Sequence, residues 1–302
     1  MKIAIAGGTG FVGRALCKTF SREGHEIIVL TRNKRKKTHS NITYAEWLND
    51  KELDASIFND VNVIINLAGE SINARWTKKK KAQILNSRLT AVKAIHKLIQ
   101  QLEKKPNVYI QASAIGFYGT SETETFTEQA SKPGHDFLAH VASKWEEAGK
   151  VIENEGIRTV YMRFGLILSK DDGALPRIIL PYKWFFGGKL GKGNQWASWV
   201  HIEDVCSMIR FAIENENING PLNVTAPNPV TMNELGKTAA KILKRPHWLS
   251  VPAFALKLIL GEMSTLVLEG QRVLPEKALE NGFHFQFETL DEALENLFQQ
   301  SF

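Results

Sequence analysis

The chain opens with a glycine-rich loop between a predicted strand and a predicted helix. Gly8, Gly10 and Gly13 match the spacing G-x-G-x-x-G. Gly7, Gly10 and Gly13 also match the spacing G-x-x-G-x-x-G. Glycines at this spacing let bare backbone approach a phosphate, and the N-terminus of the following helix offers N–H donors to it. The loop therefore predicts a dinucleotide diphosphate site. Its predicted contacts are Gly7, Thr9, Gly10, Phe11 and Val12.

The end of the second predicted strand indicates which dinucleotide is bound. Sites for NAD usually place an acidic residue about 20 residues after the glycine loop, where it binds the ribose 2′-hydroxyl. This chain has Thr31 and Arg32 there, followed by Lys34 and Arg35. A guanidinium pairs with a 2′-phosphate through two hydrogen bonds, whereas a carboxylate would repel it. The sequence therefore favours NADP(H) over NAD(H), with Thr31 and Arg32 as contacts.

Short apolar runs alternate with helical patterns in the first half of the chain, which is typical of a parallel sheet covered by helices. The runs are almost continuously apolar, as expected for strands that are buried on both faces. The predicted strands are IAIAG, HEIIVLT, VNVIINLAG, NVYIQASA and RTVYMRFGLIL. The sequence thus predicts an α/β fold with a Rossmann-type doubly wound parallel sheet.

A different pattern follows residue 170. Glycines, prolines and tryptophans punctuate residues 171–199, which indicates an irregular substrate loop. From Thr231 onward the pattern is mostly helical, and it closes with an amphipathic segment from Leu290 to Phe298. The sequence therefore predicts an NADP-binding Rossmann domain of residues 1–226 and a small, mostly helical C-terminal lobe of residues 227–302.

Composition excludes several classes of protein. The 302 residues are 43% hydrophobic and 23% charged, values that are typical of a packed globular protein. The two cysteines, Cys17 and Cys206, lack the spacing of disulfide frameworks and zinc sites, so no metal is expected. The net charge of +6 is concentrated in two basic runs, and no aromatic residues interleave the run from Lys78 to Lys81. Nucleic acid is therefore not an expected partner.

The apolar segments do not predict a membrane protein. The start MKIAIAGG has an apolar run too short for a signal peptide, and a glycine loop follows it at once. A longer apolar stretch, residues 251–268, is broken by Pro252 and Gly261. It falls short of the roughly 20 apolar residues that span a bilayer. We expect a cytoplasmic protein without a membrane partner.

Several longer motifs resemble one known group of proteins. They are GGTGFVG, NLAGESINARWT, SAIGFYG, LGKGNQWASWVHIEDV and VPAFALKLILGEMSTLVLEGQRVLPEKALENGFHF. Together they resemble the extended short-chain dehydrogenase/reductase superfamily and, within it, the NAD(P)-dependent epimerase family of sugar-nucleotide epimerase-like proteins. The last motif is similar to the small C-terminal domain of that family. The resemblance covers nearly the whole chain.

The resemblance implies cofactor contacts beyond the glycine loop. The end of a strand, at Leu67, Ala68 and Gly69, would pass beside the adenine ribose and the diphosphate. Arg88, on the helix that follows, would also contact the cofactor. The nicotinamide end would be lined by Gly165, Leu166 and Ile167. The alternatives are a buried strand end for residues 67–69 and a solvated helix charge for Arg88.

The catalytic signature departs from the family pattern. Members of the family use Tyr-x-x-x-Lys, in which the lysine lowers the phenol pKa and the tyrosine acts as acid or base. Lys144 is present in this chain, but the tyrosine position holds His140. The customary serine or threonine aligns with Ala114, and Ser113 lies one place away. Two of the usual groups are therefore missing or displaced.

Three interpretations of this departure stay open. In the first, His140 acts as acid and base, because an unperturbed imidazole pKa near 6.5 suits proton transfer at neutral pH. In the second, Tyr118 donates the proton from beside the expected nicotinamide pocket. In the third, no side chain does strong acid–base work, and the protein binds NADPH as a sensor or scaffold. The candidate catalytic residues are thus Ser113, Tyr118, His140 and Lys144.

Polar residues in the second half of the chain have structural and functional interpretations. His201 and Asp204 stand at the start of a predicted helix, where capping and the helix dipole explain them better than catalysis does. Arg163 and the loop 187–199 are better candidates for a substrate pocket, because glycine turns with polar side chains can close over a ring. The alternative for the loop is a packed lobe that its tryptophans hold in place.

The sequence predicts NADP(H)-dependent reduction or epimerisation of a small polar substrate, such as a sugar or sugar nucleotide. The alternative, from a different class, is a non-catalytic NADPH-binding regulator, and the altered catalytic helix keeps that alternative open. The expected partner is a small molecule. The oligomeric state stays open, with a homodimer as one option.

Overall fold

The structure is a computed structural model that describes residues 1–32, 41–49 and 53–299. A large parallel sheet carries helices on both faces, and a smaller C-terminal part packs beside it. Lys34 and Arg35 of the predicted ribose site lie outside the described residues. The strands are β1 (Lys2–Ala6), β2 (Glu26–Thr31), β3 (Ile42–Glu46), β4 (Val63–Asn66), β5 (Val108–Ala114), β6 (Thr125–Phe126), β7 (Arg158–Phe164), β8 (Leu166–Leu168), β9 (Gly188–Leu190), β10 (Trp196–Ala197), β11 (Trp199–His201), β12 (Gly220–Val224), β13 (Val230–Thr231), β14 (Leu249–Val251) and β15 (Arg272–Val273).

The helices alternate with strands through the first half of the chain and dominate the C-terminal part. No helix in the described ranges is long and apolar enough to cross a membrane. The helices are α1 (Phe11–Arg22), α2 (Lys78–Gln101), α3 (Phe137–Glu153), α4 (Leu175–Lys183), α5 (Ile202–Glu214), α6 (Met232–Leu243), α7 (Ala253–Leu260), α8 (Thr265–Leu268), α9 (Glu276–Glu280) and α10 (Leu290–Gln299).

Seven parallel strands form the main sheet, in the order β12-β7-β5-β4-β1-β2-β3. β1 lies between β2 and β4, so the direction in which strands are added to the sheet reverses at β1. In sheets of this kind, ligands bind outside the carboxyl ends of the strands at the reversal point. The predicted doubly wound sheet is confirmed, and the glycine loop after β1 lies at this point.

Two strands of the main sheet were not predicted. β3 and β12 are its edge strands, so they bury less apolar surface than the central strands do. β12 also begins with Gly220 and Pro221 and contains the buried polar residue Asn223, a composition that reads as a turn. A third difference is that the predicted strand RTVYMRFGLIL is divided at Gly165. β7 stays in the main sheet, whereas β8 pairs with β11.

Apolar side chains cover both faces of the main sheet. Leu16 of α1 and Ile209 of α5 lie in the buried cluster on one face. Ile95 of α2 and Trp145 of α3 lie in the cluster on the other face. Burial on both faces explains the continuous apolar runs of the central strands. It also fixes the helices that surround the carboxyl ends of those strands.

The C-terminal part shares its core with the residues that precede it. Leu175 of α4 lies in one buried cluster with Leu235 of α6 and Leu294 of α10. Short strand pairs add further connections, since β14 pairs with β9 and β15 pairs with β6. The mostly helical character predicted from Thr231 onward is confirmed. The predicted substrate loop 171–199 contains α4 and two short strands, so it is more regular than its glycines indicate.

Candidate functional site

The glycine loop between β1 and α1 has a shape that only small residues permit. Gly7 adopts a φ of 78°, and its carbonyl oxygen accepts a hydrogen bond from the Gly10 amide at 2.9 Å. A Cβ atom at Gly13 would lie 2.3 Å from the same oxygen, so a larger residue would force the loop open. Gly10 caps α1 without a side chain, which leaves amide donors of the first turn for another acceptor. The loop is thus suited to hold an anion.

A groove of about 870 Å³ lies beside this loop, at the carboxyl ends of β1, β2 and β4. We call it the nucleotide groove. Arg32 is exposed at the groove, whereas Thr31 is buried. The fold brings together here the glycine loop, the end of β2 and the segment after β4. The predicted cofactor contacts that line the groove are Gly7, Thr9, Gly10, Thr31, Arg32, Leu67, Ala68 and Gly69.

One wall of the nucleotide groove comes from α2, where Arg88 alone was expected. The groove is lined instead by Gln83, Asn86, Ser87 and Thr90. These four positions are three or four residues apart from one another, so they share one face of α2, beside the face that carries Arg88. Ser87 Oγ accepts a hydrogen bond from the Glu70 amide at 2.9 Å. This bond fastens the segment after β4 to α2.

A second cavity, of about 590 Å³, lies beside the ends of β5 and β7. We call it the apolar cavity. Gly165 and Leu166, which were expected at the nicotinamide end, line it. Arg88 lines this cavity, and its guanidinium lies against Gly69 and Glu70, which line the nucleotide groove, so the two spaces adjoin at its side chain. The larger apolar side chains of the wall include Trp76, Phe137, Leu138, Val141, Trp145 and Trp196.

Three expected cofactor contacts line neither the groove nor the cavity. Phe11 and Val12 are the first residues of α1, so their backbone amides lie where helix N–H groups lack a partner within the helix. Ile167 is the middle residue of β8 and pairs with Val200 of β11. The structure thus places the side chains of all three outside the two ligand spaces.

Arg88 is held at the junction of the groove and the cavity. Its Nη1 donates to the carbonyl oxygens of Glu70 at 3.1 Å and Ile84 at 2.8 Å. Its guanidinium carbon lies 4.8 Å from the centre of the Trp145 ring, within cation–π distance. Desolvation lowers the pKa of Arg88 to about 10, so the side chain stays positive at neutral pH. Arg88 is therefore a fixed cation at the junction and not a solvated surface charge.

Ser113 and Tyr118 belong to a buried hydrogen-bond network and line neither ligand space. Ser113 Oγ donates to the Glu146 carboxylate at 2.6 Å. Arg163 donates two hydrogen bonds of 2.8 Å to the same carboxylate and one of 2.9 Å to Tyr118 Oη. Tyr118 Oη donates to Asn223 Oδ1 at 2.8 Å. Arg163, which was expected in a substrate pocket, thus joins α3, β5, β7 and β12 in the core.

His140 and Lys144 lie on the exposed side of α3. Lys144 Nζ pairs with Glu147 Oε2 at 2.7 Å, and neither His140 nor Lys144 lines the groove or the cavity. Val141 and Trp145, each one position further along, do line the cavity, and so do Leu138 and Ala142. The buried residues of α3 are mostly apolar, and they determine which side of the helix faces the core. The fold therefore does not bring the four candidate catalytic residues together in one cavity.

We expect the changes His140→Ala and Lys144→Ala to have little effect on function. NADPH affinity and any NADPH turnover should stay within about twofold of wild type, because exposed substitutions change free energies by roughly 0.5 kcal/mol or less. Calorimetric titration and nicotinamide absorbance measure the two quantities. A tenfold loss of turnover in either variant, with NADPH affinity retained, would restore that residue as a catalytic candidate.

The polar residues of the loop 187–199 are used in packing. Gln195 Nε2 donates to the Val267 carbonyl oxygen at 2.6 Å, and Ser198 Oγ donates to the Gln271 carbonyl oxygen at 2.9 Å. Both side chains are buried. Trp196 lines the apolar cavity, so it is the member of the loop whose ring faces the ligand space.

His201 and Asp204 connect α5 to the end of the chain. His201 Nδ1 accepts a hydrogen bond from the Glu203 amide at 3.2 Å and so caps α5, and its ring lies 3.9 Å from the Phe287 ring. Asp204 accepts hydrogen bonds from the Gln286 and Phe287 amides. Burial lowers the pKa of His201 to about 4 and raises that of Asp204 to about 6. Both residues therefore have structural roles.

The low pKa of His201 predicts a loss of stability in acid. The unfolded chain binds a proton at His201 below about pH 6.5, whereas the folded chain resists protonation until pH falls to about 4. Between about pH 7.5 and pH 5, this difference should remove roughly 2 kcal/mol of unfolding free energy.

The matched comparison is His201→Asn, because asparagine also caps helices but does not titrate in this range. Denaturant unfolding at both pH values measures the difference. Asp204 is present in both proteins, so its opposite contribution cancels. Equal losses of stability in wild type and variant would contradict the attribution of the loss to the lowered pKa of His201.

Comparison with known proteins places this chain in a family. The NAD dependent epimerase/dehydratase family model matches residues 3–225, and a domain of unknown function, DUF1731, matches residues 251–297. Epimerase family protein YfhF of Bacillus subtilis (strain 168) is 50% identical over 297 residues, 98% of each chain. Epimerase family protein SH2119 of Staphylococcus haemolyticus is 43% identical over 293 residues, 97% of each chain.

Solved structures agree with this fold. The human epimerase family protein SDR39U1 (isoform 2), solved with NADPH, is 28% identical with a TM-score of 0.87 and 99% coverage of both chains. UDP-glucuronic acid 4-epimerase from Bacillus cereus, solved with UDP-glucuronic acid and NAD, has a TM-score of 0.77 over the full length of both chains. At 15% identity, that likeness shows the fold alone. The match to residues 3–225 and the relatives at 43% and 50% identity confirm the resemblance, and the chain belongs to the NAD-dependent epimerase/dehydratase family.

Proposed function

We propose that the protein binds NADP(H) along the nucleotide groove, with the nicotinamide in the apolar cavity, and that hydride transfer to a small carbonyl substrate takes place there. The observation that carries this proposal is the position of Arg88, which lines the cavity while its guanidinium lies against Gly69 and Glu70 of the groove. An extended dinucleotide needs two such adjoining spaces. The glycine loop would hold the diphosphate, and Gly165 and Leu166 would lie beside the nicotinamide.

The end of β2 supports NADP(H) as the preferred cofactor. Thr31 is the last residue of β2 and Arg32 follows it at the groove, and neither is acidic. A guanidinium there favours a ribose that carries a 2′-phosphate. The human protein SDR39U1, which is 28% identical, was solved with NADPH. The preference for NADP(H) in this chain rests on Arg32.

The wall of the apolar cavity favours an uncharged and largely apolar substrate. The lining cations in the described chain are Lys81 and Arg88, and Lys81 already pairs with Glu262. The lining carboxylates are Asp136, Glu262 and Glu269. Two cations against three carboxylates leave no excess positive charge for the diphosphate of a sugar nucleotide. The cavity thus supports a small aldehyde or ketone better than the polar, sugar-like substrate that the sequence predicts.

The chemistry needs few groups from the protein. When bound, NADPH would supply a hydride for the carbonyl carbon, and the carbonyl oxygen would need a proton to complete the alcohol. Val141 and Trp145 would exclude water from the reacting carbon and hold the substrate against the nicotinamide. Since none of the four candidate acid–base residues faces the cavity, we assign the proton to water at its mouth.

A second function, NADPH binding without turnover, is favoured by one specific observation. The side of α3 that faces the cavity presents Val141 and Trp145, neither of which titrates near neutral pH. General acid–base groups contribute about 10²- to 10⁴-fold to the rates of enzymes that use them. A protein without such a group could serve as a regulator that responds to NADPH.

Changes in nicotinamide absorbance separate these functions. Purified protein with NADPH is offered benzaldehyde and cyclohexanone, which can accept a hydride, and the loss of absorbance is followed. In a second series, protein with NADP⁺ is offered UDP-glucose, whose alcohols can only donate a hydride, and the gain of absorbance is followed. We expect oxidation of NADPH with the apolar carbonyl compounds. Binding of NADPH without turnover in either series would favour the regulator, and turnover of UDP-glucose alone would contradict the substrate assignment.

Threonine at position 141 provides a matched test of the cavity wall. Val141→Thr keeps the side-chain shape but adds a hydroxyl to the wall, and we expect KM for benzaldehyde to rise about fivefold. Val151→Thr makes the same change on the exposed side of α3, where Val151 is 40% exposed, and should leave KM unchanged. Equal KM values in the two variants would show that Val141 does not contact the substrate.

A further inference from the structure

The large apolar side chains that the protein exposes are concentrated in one region. Of the twelve such side chains in the described residues, eight come from residues 180–186 and 248–259. Single exposed apolar residues are ordinary, whereas a contiguous group of them indicates an interaction site. We call this group the aromatic face. Its members are Leu180, Trp184, Phe185, Phe186, Trp248, Phe254, Leu258 and Ile259.

The two segments of the aromatic face are joined to each other. β9 pairs with β14, and Trp248 Nε1 donates to the Phe185 carbonyl oxygen at 2.9 Å. The Arg245 guanidinium lies 4.5 Å from the centre of the Phe185 ring. Phe185 has a φ of 64°, a left-handed conformation that bulky residues rarely adopt. The chain thus holds consecutive aromatic residues outward at the end of α4 in a defined conformation.

α7 adds an apolar helix that the described chain leaves uncovered. Its sequence is AFALKLIL, and none of its residues is buried. Phe254 and Leu258, one turn apart, are 74% and 82% exposed. A helix that is apolar around its circumference is normally enclosed by protein or lipid. We therefore expect another molecule to cover this face.

Positive charge accompanies the aromatic face. Residues 176–193 and 235–261, which contain the face and the segments that flank it, have nine lysine and arginine residues and no aspartate or glutamate. All nine are exposed, and Lys241 is paired with Asp291 of α10. A surface of this kind attracts a partner with dense negative charge. The nine are Arg177, Lys183, Lys189, Lys192, Lys237, Lys241, Lys244, Arg245 and Lys257.

We propose that the aromatic face docks the protein on the surface of an anionic lipid membrane. Tryptophan and phenylalanine rings would enter the boundary between headgroups and acyl chains, while lysine and arginine contact the anionic headgroups. A second copy of the chain fits the aromatic face less well than an anionic membrane does, because a twofold contact would place the cations of the two copies against each other. The sequence predicts no membrane partner because it lacks a spanning segment, but peripheral docking needs none.

Vesicle flotation tests this docking directly. The full chain is mixed with vesicles of phosphatidylglycerol and phosphatidylcholine, or of phosphatidylcholine alone, at physiological salt. We expect the protein to float with the anionic vesicles and to stay behind with the neutral ones. The double change Lys244→Glu and Arg245→Glu should reduce binding about tenfold or more, and so should Trp184→Ser with Phe186→Ser.

Two matched variants control for loss of charge and of apolar surface elsewhere. Lys78→Glu with Lys79→Glu alters a basic run outside the face, and Leu279→Ser removes an exposed leucine outside it; both variants should float like wild type. NADPH affinity, measured on every variant, checks that each is folded. Wild type that stays behind with anionic vesicles overturns the proposal. So does a dimer in solution that Trp184→Ser with Phe186→Ser dissociates, because a second copy would then cover the face.

Discussion

Replacement of Arg163 by methionine is expected to lower the free energy of unfolding by about 3 to 5 kcal/mol. The side chains of Arg163 and Glu146 are 3% and 11% exposed, and the guanidinium donates two of its hydrogen bonds to the carboxylate. Removal of the guanidinium leaves that carboxylate buried without a counter-charge, and Tyr118 loses a donor. Denaturant unfolding of the purified variant measures the loss.

A surface pair supplies the control for this prediction. Arg210 pairs with Glu23 where both side chains are partly exposed, so Arg210→Met should cost less than about 1 kcal/mol. The double variant Arg163→Met with Glu146→Gln removes both charges, and it should recover part of the loss caused by Arg163→Met alone. A cost below about 1 kcal/mol for Arg163→Met would contradict the structural role of the network.

The second large effect concerns cofactor choice. Arg32→Ala is expected to weaken NADPH binding about ten- to a hundredfold and to leave NADH binding nearly unchanged. The reason is that Arg32 lies at the nucleotide groove directly after β2, where a 2′-phosphate would need a charge-assisted donor. Calorimetric titration of both dinucleotides gives the two affinities.

Arg22→Ala is the matched control for this change. Arg22 is exposed at the last residue of α1, so it stands a full helix length from the glycine loop at the other end. Its loss should affect neither dinucleotide. If Arg32→Ala weakened NADPH and NADH by the same factor, Arg32 would serve general phosphate attraction and not recognition of the 2′-phosphate.

The fold was predictable wherever local pattern and burial agree. The central strands are continuous apolar runs, and the glycine spacing lies between a strand and a helix. The edge strands β3 and β12 lack that pattern because they bury less surface. Local sequence pattern also does not predict the division of the strand at Gly165. It depends on contact with Ser198, whose carbonyl oxygen would lie 2.3 Å from a Cβ atom at Gly165.

The two ends of the candidate site differ in how much the sequence reveals. The nucleotide groove follows from the positions of short segments at strand ends, which topology fixes. Whether the catalytic candidates face the cavity depends on how α3 is rotated about its axis and on hydrogen-bond partners that are distant in sequence. Glu146 lies on α3 and Arg163 on β7, and their pairing draws Ser113 inward. With that network buried, Val141 faces the cavity and His140 faces solvent.

A crystal structure of the protein grown with saturating NADPH tests the central claim most directly. We predict one dinucleotide per chain, with its diphosphate beside Gly10, its 2′-phosphate against Arg32 and its nicotinamide near Leu166. Arg88 should lie between the two ends of the molecule. A dinucleotide bound elsewhere, or a groove that stays empty in crystals grown at millimolar NADPH, would contradict the claim.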